Sequence, residues 1–69
     1  PRSIKEQQEF IVASFPSLGL SNAKKLLEHF GSVKNIINST KKELTALDGI
    51  GKITAERLLE IFEKEYEKK

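Results

Sequence analysis

Apolar residues recur along the chain at helical spacing in two stretches that copy one another. Ala23, Leu26, Leu27 and Phe30 fall at i, i+3, i+4 and i+7, one apolar face of an α-helix. Ala55, Leu58, Leu59 and Phe62 repeat the spacing, and Tyr66 extends it by one further turn. Ahead of the first stretch, Ile4, Ile11 and Phe15 predict a helix over about 3–14. Ser3 and Glu6 have the spacing of a capping box at its start. Thr40 and Glu43 offer the same box ahead of the second stretch, with Leu44 and Leu47 as the apolar side. Gly31 stands where a left-handed C-cap is wanted. Between the stretches, Val33, Ile36 and Ile37 predict a connecting helix over 32–38, facing inward and stopped by Asn38-Ser39. Asn38-Ser39-Thr40 also matches a glycosylation sequon, but reads better as a helix stop followed by an N-cap. The pattern is all-α, with five short helices and no strand.

Residues 15–30 set over 47–62, an offset of 32, share six of 16 positions: Gly19/Gly51, Ala23/Ala55, Leu26/Leu58, Leu27/Leu59, Glu28/Glu60 and Phe30/Phe62. Leu18/Ile50, Lys25/Arg57 and Phe15/Leu47 keep their chemistry. One structural unit therefore occurs twice. Each copy reads helix, tight glycine turn, helix. The units span about 3–30 and 40–66 of a single domain over 1–69, joined by the connecting helix.

The informative residues sit in the turns, Ser17-Leu18-Gly19-Leu20 and Gly49-Ile50-Gly51-Lys52. Glycine tolerates positive φ and lets the backbone approach another molecule closely. Leu18 and Ile50 can plug into the helix pair from below. The helix that follows each turn begins with amides that have no intrahelical partner, and the positive end of the helix dipole lies behind them. Such a constellation suits a phosphate oxygen. Lys52 stands at the mouth of the second turn and Arg57 further along its helix, while Lys24 and Lys25 lie one turn beyond the first. Ser17 in place of a glycine and Leu20 in place of a lysine make the first hairpin the weaker candidate.

Composition removes most enzyme classes. There is no cysteine and only one histidine, His29, which leaves no metal site, His-based triad or cofactor to expect. The acids are plentiful but ungrouped, whereas a Mg²⁺-dependent nuclease centre needs several held together. Asp48 reads as turn chemistry. The pairs Lys24-Lys25 and Lys41-Lys42, and the tail 63–69, read as solvated helix faces. The formal charge is only +2, with five Lys/Arg against three acids in 1–35 and seven against seven in 36–69. Anion binding must then come from local geometry rather than bulk charge. No apolar run reaches membrane-spanning length, and the start lacks a signal peptide. An intracellular, cytoplasmic setting is expected, with no membrane and no small-molecule ligand. Pro1 at the start and the absence of methionine suggest a fragment of a longer protein.

The frame Phe-Pro-x-Leu-Gly-x-x-x-Ala-x-x-Leu-Leu-Glu-His-Phe-Gly-Ser-Val, followed by Leu-x-x-Leu-Asp-Gly-Ile-Gly-x-x-x-Ala-x-x-Leu, resembles the tandem helix-hairpin-helix domain. It is most similar to the version ending XPF-type structure-specific endonucleases. Among these it is nearest the archaeal forms, including helicase–nuclease fusions of the Hef type. The resemblance runs from about Ser3 to Tyr66. It implies a non-catalytic accessory domain of a DNA-repair nuclease or helicase–nuclease. Both hairpins would grip the DNA backbone across a minor groove without reading sequence. The domain would form a homodimer and direct a linked nuclease to forks, flaps and other branched DNA. An aromatic near the end of the last helix docks into the partner subunit in this family, a position that Tyr66 matches.

Three aromatics are candidates for that subunit contact: Tyr66, Phe62 and Phe10. Phe62 matches Phe30 and fits a role in the domain's own core better, while Phe10 flanks the Ile4–Ile11–Phe15 face. A second class of function stands beside DNA binding, a dimerisation or protein-docking module whose hairpins no longer hold phosphate. The altered first hairpin favours it, and the intact Asp48-Gly49-Ile50-Gly51-Lys52 turn opposes it.

Overall fold

Five helices follow one another in the computed structural model, which describes residues 2–68: α1 (Ile4–Ala13), α2 (Gly19–Phe30), α3 (Val33–Ile37), α4 (Lys41–Thr45) and α5 (Lys52–Glu63). There is no strand among the described residues. The local signals act where the sequence places them. Ser3–Glu6 and Thr40–Glu43 form complete capping boxes at the starts of α1 and α4, and the Ser32 hydroxyl accepts from the Asn35 amide at α3. Gly31 ends α2 at φ 88°, and its N–H donates to the Leu27 carbonyl at 2.8 Å.

α1 packs on α2, α4 on α5, and α3 on α2. The molecule measures 34 × 33 × 19 Å. At about 10 Å per helix, the short dimension is two helices deep. The buried apolar residues are Val12, Leu18, Ala23, Leu26, Ile36, Leu44, Ile50, Ala55 and Leu58. Eight of these nine fall into four pairs 32 residues apart: Val12/Leu44, Leu18/Ile50, Ala23/Ala55 and Leu26/Leu58. The half-buried pairs Phe15/Leu47, Leu27/Leu59 and Phe30/Phe62 pack around them. The repeat is thus the core itself, extended one helical turn earlier than the turn-centred alignment reaches. Ile36, fully buried in α3, has no repeat counterpart in the core and is the connecting helix's own contribution to it.

Three expectations need correction. Ile4 and Ile11 are 71% and 49% exposed, because α1 turns Val12 inward and carries them on its flank. Ile37, expected to face inward, is 43% exposed; a five-residue helix has room for one fully buried side chain, and Ile36 takes that place. The last helix does not run on to Tyr66. It ends at Glu63, with Lys64 extended at φ −69°, ψ 134°. Glu60 and Glu63 occupy its last turn with no basic residue, an arrangement the helix dipole disfavours. The tail from Lys64 to Lys68 is therefore not a helix end, and Lys69 lies outside the described residues. Phe62, as its match to Phe30 suggests, is engaged inside the chain. Its ring meets Phe15 edge to face, with centroids 5.4 Å apart.

Candidate nucleic-acid interface

Both hairpins are built on the same backbone turn. The Leu18 N–H donates to the Phe15 carbonyl at 3.3 Å, and the Ile50 N–H donates to the Leu47 carbonyl at 3.1 Å. The third residue of each turn has positive φ, 62° at Ser17 and 92° at Gly49, as a type II turn requires. Pro16 fits the second position of the first turn, where its fixed φ is already correct. Ser17 therefore keeps the conformation of the glycine it replaces, at some backbone strain. The copies diverge at the next glycine. Gly51 is extended at φ −83°, ψ 174° and caps α5, whereas Gly19 has φ 76° and opens α2 behind Leu18.

Leu18 and Ile50 are 6% and 3% exposed. They plug the turns from below, as expected. Their amides are consumed by the turn bonds, so neither residue contributes a donor to a ligand. This corrects their assignment as phosphate contacts. The available donors come one residue later. α1, α3 and α4 are each closed by a capping hydroxyl, whereas α2 and α5, the helices that leave the hairpins, have no side-chain cap. In α5 the N–H groups of Lys52, Ile53 and Thr54 have neither an intrahelical acceptor nor a capping side chain. An open depression lined by Thr45 to Gly51 lies alongside.

The expected side chains divide by location. Leu20 and Lys52 are exposed beside their hairpins, and Arg57 is exposed on α5. Lys24 points elsewhere. It lines a groove with Lys5, Gln8 and Glu9 of α1 and Glu28 of α2, away from the turns. Lys25 belongs to the opposite hairpin from the one its sequence position suggests. Its Nζ lies 3.5 Å from the carbonyl of Asp48, in the second turn. Asn22 joins the same junction, donating through Nδ2 to the Leu18 carbonyl at 3.2 Å. Its Oδ1 would lie 2.9 Å from a Cβ placed on Gly49. The two turns therefore lie side by side across the face of α2. Sequence reasoning missed Asn22, since nothing in the spacing of a lone asparagine marks a contact 27 residues away.

An unforeseen ion pair sits on this side of unit two. Lys41 Nζ meets Glu56 Oε2 at 2.6 Å. The hydrogen bond from Lys41, its charge and the more distant charge of Lys52 hold the Glu56 carboxyl below its ordinary pKa. An ionised carboxylate thus shares the surface with Lys41 and Lys52, which keeps the local charge balance modest. An anion placed at this helix start would be drawn by the donors from Lys52 to Thr54 rather than by net charge.

Gly49 is the glycine least open to change. A side chain there would be strained at φ 92° and would collide with Asn22. Gly49→Ala is expected to cost about 2–3 kcal/mol. Ser17→Gly, at the equivalent position, should stay within about 1 kcal/mol because relieved strain and added unfolded-state entropy offset. Thermal melts of the two variants check this; equal losses would contradict the turn geometry.

Residues 10–69 match the helix-hairpin-helix motif family. The chain belongs to that family. It is 43% identical over 65 residues to a protein of Methanocaldococcus jannaschii that carries the name ATP-dependent RNA helicase, covering 94% of this chain and 8% of the relative. Its fold superimposes on XPF from Aeropyrum pernix with a TM-score of 0.91 at 33% identity, over 97% of this chain and 32% of that one. XPF from Aeropyrum pernix in complex with DNA gives 0.89 at 34% identity, over 94% and 32%. The chain thus spans under a tenth of the helicase relative and about a third of the XPF chain. The helix-hairpin-helix domain is an accessory part of such proteins, not their catalytic part. Among the described residues, no three His, Cys, Asp or Glu gather as metal ligands, and no helix is long and apolar enough to cross a membrane.

Proposed function

We propose that this helix-hairpin-helix domain binds DNA without reading sequence, by presenting main-chain amides of its two hairpins to backbone phosphates, and directs a linked nuclease or helicase to branched DNA. The observation that carries the reading is the pattern of capping: three helix starts are closed by hydroxyls, and the two at the hairpins are left open side by side. A likeness to an XPF structure in complex with DNA supports it. Gly19, Leu20, Gly51 and Lys52 form the contact, with Ser17 and Gly49 shaping the turns and Leu18 and Ile50 plugging them. Lys25 and Arg57 add cationic side chains.

Fluorescence anisotropy on a labelled fork and a matched plain duplex, across a salt series, tests the reading. Binding is expected to favour the fork and to weaken steeply with salt, since each phosphate contact releases counterions. Affinity of one copy should lie on the order of micromolar or weaker. Absence of binding to either substrate at low salt would overturn the reading and leave a protein-docking domain.

The proposal includes a homodimer. Tyr66 is 88% exposed beyond the end of α5, and Phe10 is 59% exposed with the Arg2 guanidinium 4.4 Å from its ring centroid. Phe62, half-buried against Phe15, has only its outer edge to offer. Sedimentation should find a dimer at tens of micromolar, shifted toward monomer by Tyr66→Ala. A wild-type monomer at that concentration would refute this part alone.

A further inference from the structure

We propose that Asn22 and Lys25 of α2 are positioning residues that hold the second hairpin at a fixed place beside the first, so that two turns act as one surface with a set spacing between phosphate sites. In its effect on DNA this rests on the reading above; the clamp itself does not. The geometry is specific. Asn22 is half-buried and both ends of its amide face a hairpin: Nδ2 donates to the Leu18 carbonyl in the first at 3.2 Å, and Oδ1 lies 2.9 Å from where a Cβ on Gly49 of the second would stand. Lys25 adds a bond from Nζ to the Asp48 carbonyl at 3.5 Å. One turn of one helix thus touches both hairpins.

The contact also explains an asymmetry between the copies. Gly49 meets atoms of α2 at once if given a Cβ, whereas Gly19 and Gly51 meet nothing within 4 Å. The equivalents of Asn22 and Lys25 in unit two are Thr54 and Arg57, and neither side chain makes a hydrogen bond to the first hairpin among the described residues. The bridge runs one way, from unit one to the turn of unit two. Lys25 therefore serves the second hairpin, although the sequence places it next to the first.

Two anion sites held rigidly gain from each other, because once one phosphate is bound the second is presented at high effective concentration. Loosening the spacing forfeits that gain without touching either site. Asn22→Ala in the 69-residue chain is expected to keep the helical signal and to lower duplex affinity about tenfold, with a shallower salt dependence. In a Gly51→Val background, where the second hairpin no longer engages, Asn22→Ala should cost nothing more. In a Leu20→Glu background, which disables the first hairpin, it should likewise lose its effect, because spacing matters only when both turns bind. A loss of equal size in all three backgrounds would mean that Asn22 contacts DNA itself or merely supports the fold, and would overturn the proposal.

A second measurement needs no DNA. In the free protein, Asn22→Ala should shift the amide resonances of Gly49, Ile50 and Gly51 while leaving those of α4 in place. Unmoved hairpin amides would overturn the clamp even if DNA binding fell. Moved amides in a chain that binds no DNA would uphold the clamp and refute the functional reading instead. Asn22→Asp guards against a folding failure: it keeps an oxygen beside Gly49 but turns a second, negatively charged oxygen toward the Leu18 carbonyl, so the bond there is replaced by repulsion. It should move the resonances of Leu18 and Gly19 further than those of Gly49, and the reverse order would overturn the assignment of the two amide ends.

Discussion

Replacing Gly51 by valine is expected to leave the five helices in place and to weaken duplex binding at least tenfold, about 1.4 kcal/mol. The two halves of this expectation have separate grounds. Gly51 is extended at φ −83°, ψ 174°, a conformation open to any residue and well suited to a β-branched one. A Cβ there meets nothing within 4 Å. The fold loses at most about 1 kcal/mol, from the poorer preference of valine for a cap position. The binding surface loses more. The new side chain stands over the first amides of α5 and holds a phosphate oxygen away from donors that are worth about 1.5–3 kcal/mol each to a charged acceptor. Anisotropy on a plain duplex and a thermal melt on the same sample check both halves. Unchanged affinity with an intact fold would remove the second hairpin from the interface.

Leu26→Ala should have the opposite profile, acting on the fold rather than on the surface. Leu26 is fully buried at the centre of α2, and truncation of such a residue costs about 2–5 kcal/mol. A chain of this length has on the order of 3–10 kcal/mol of stability in total. The variant should melt at least about 10 °C lower and approach the unfolded state at physiological temperature. Leu58→Ala, its counterpart 32 residues on, should match it, whereas Ile61→Ala, at a position 51% exposed, should stay within about 0.5 kcal/mol. A circular-dichroism melt compares the three. A fall of under 5 °C for Leu26→Ala would mean that the core is less tightly shared between the units than its packing indicates.

Much of the architecture is legible in the residues because the chain states it twice. The Ala-x-x-Leu-Leu-x-x-Phe face, the capping boxes at Ser3 and Thr40 and the C-cap at Gly31 are local signals, and each acts within four residues of itself. The readings that failed depend on what lies across the fold. Ile4 and Ile11 look like a core face until α1 is seen to have one principal neighbour, which Val12 meets. Tyr66 continues a helical period, but a period carries no account of like charges gathered at a helix end. The amides of Leu18 and Ile50 look available until the turn bonds are traced. Lys25 and Asn22 sit beside one hairpin in sequence and reach the other in space, a relation that no periodicity encodes. The Lys41–Glu56 pair is hidden for the same reason, since it joins two helices across the second unit.

The open helix starts of α2 and α5 have a cost that falls on stability. At α5 a serine or aspartate in place of the extended Gly51 would satisfy an orphan amide and secure the helix by roughly a few tenths of a kcal/mol. At α2 the capping position belongs to Leu18, buried as the plug of its turn and in the αR region, where a capping side chain cannot stand. The other three helices of this chain are closed by a hydroxyl, and the two at the hairpins are not. Selection for thermal robustness alone would be expected to fill the position at Gly51. On the proposed function, the vacancy at Gly51 is a trade-off between self-sufficiency and recognition, with the recognition chemistry in the main chain, where changes of surface charge can drift without erasing it.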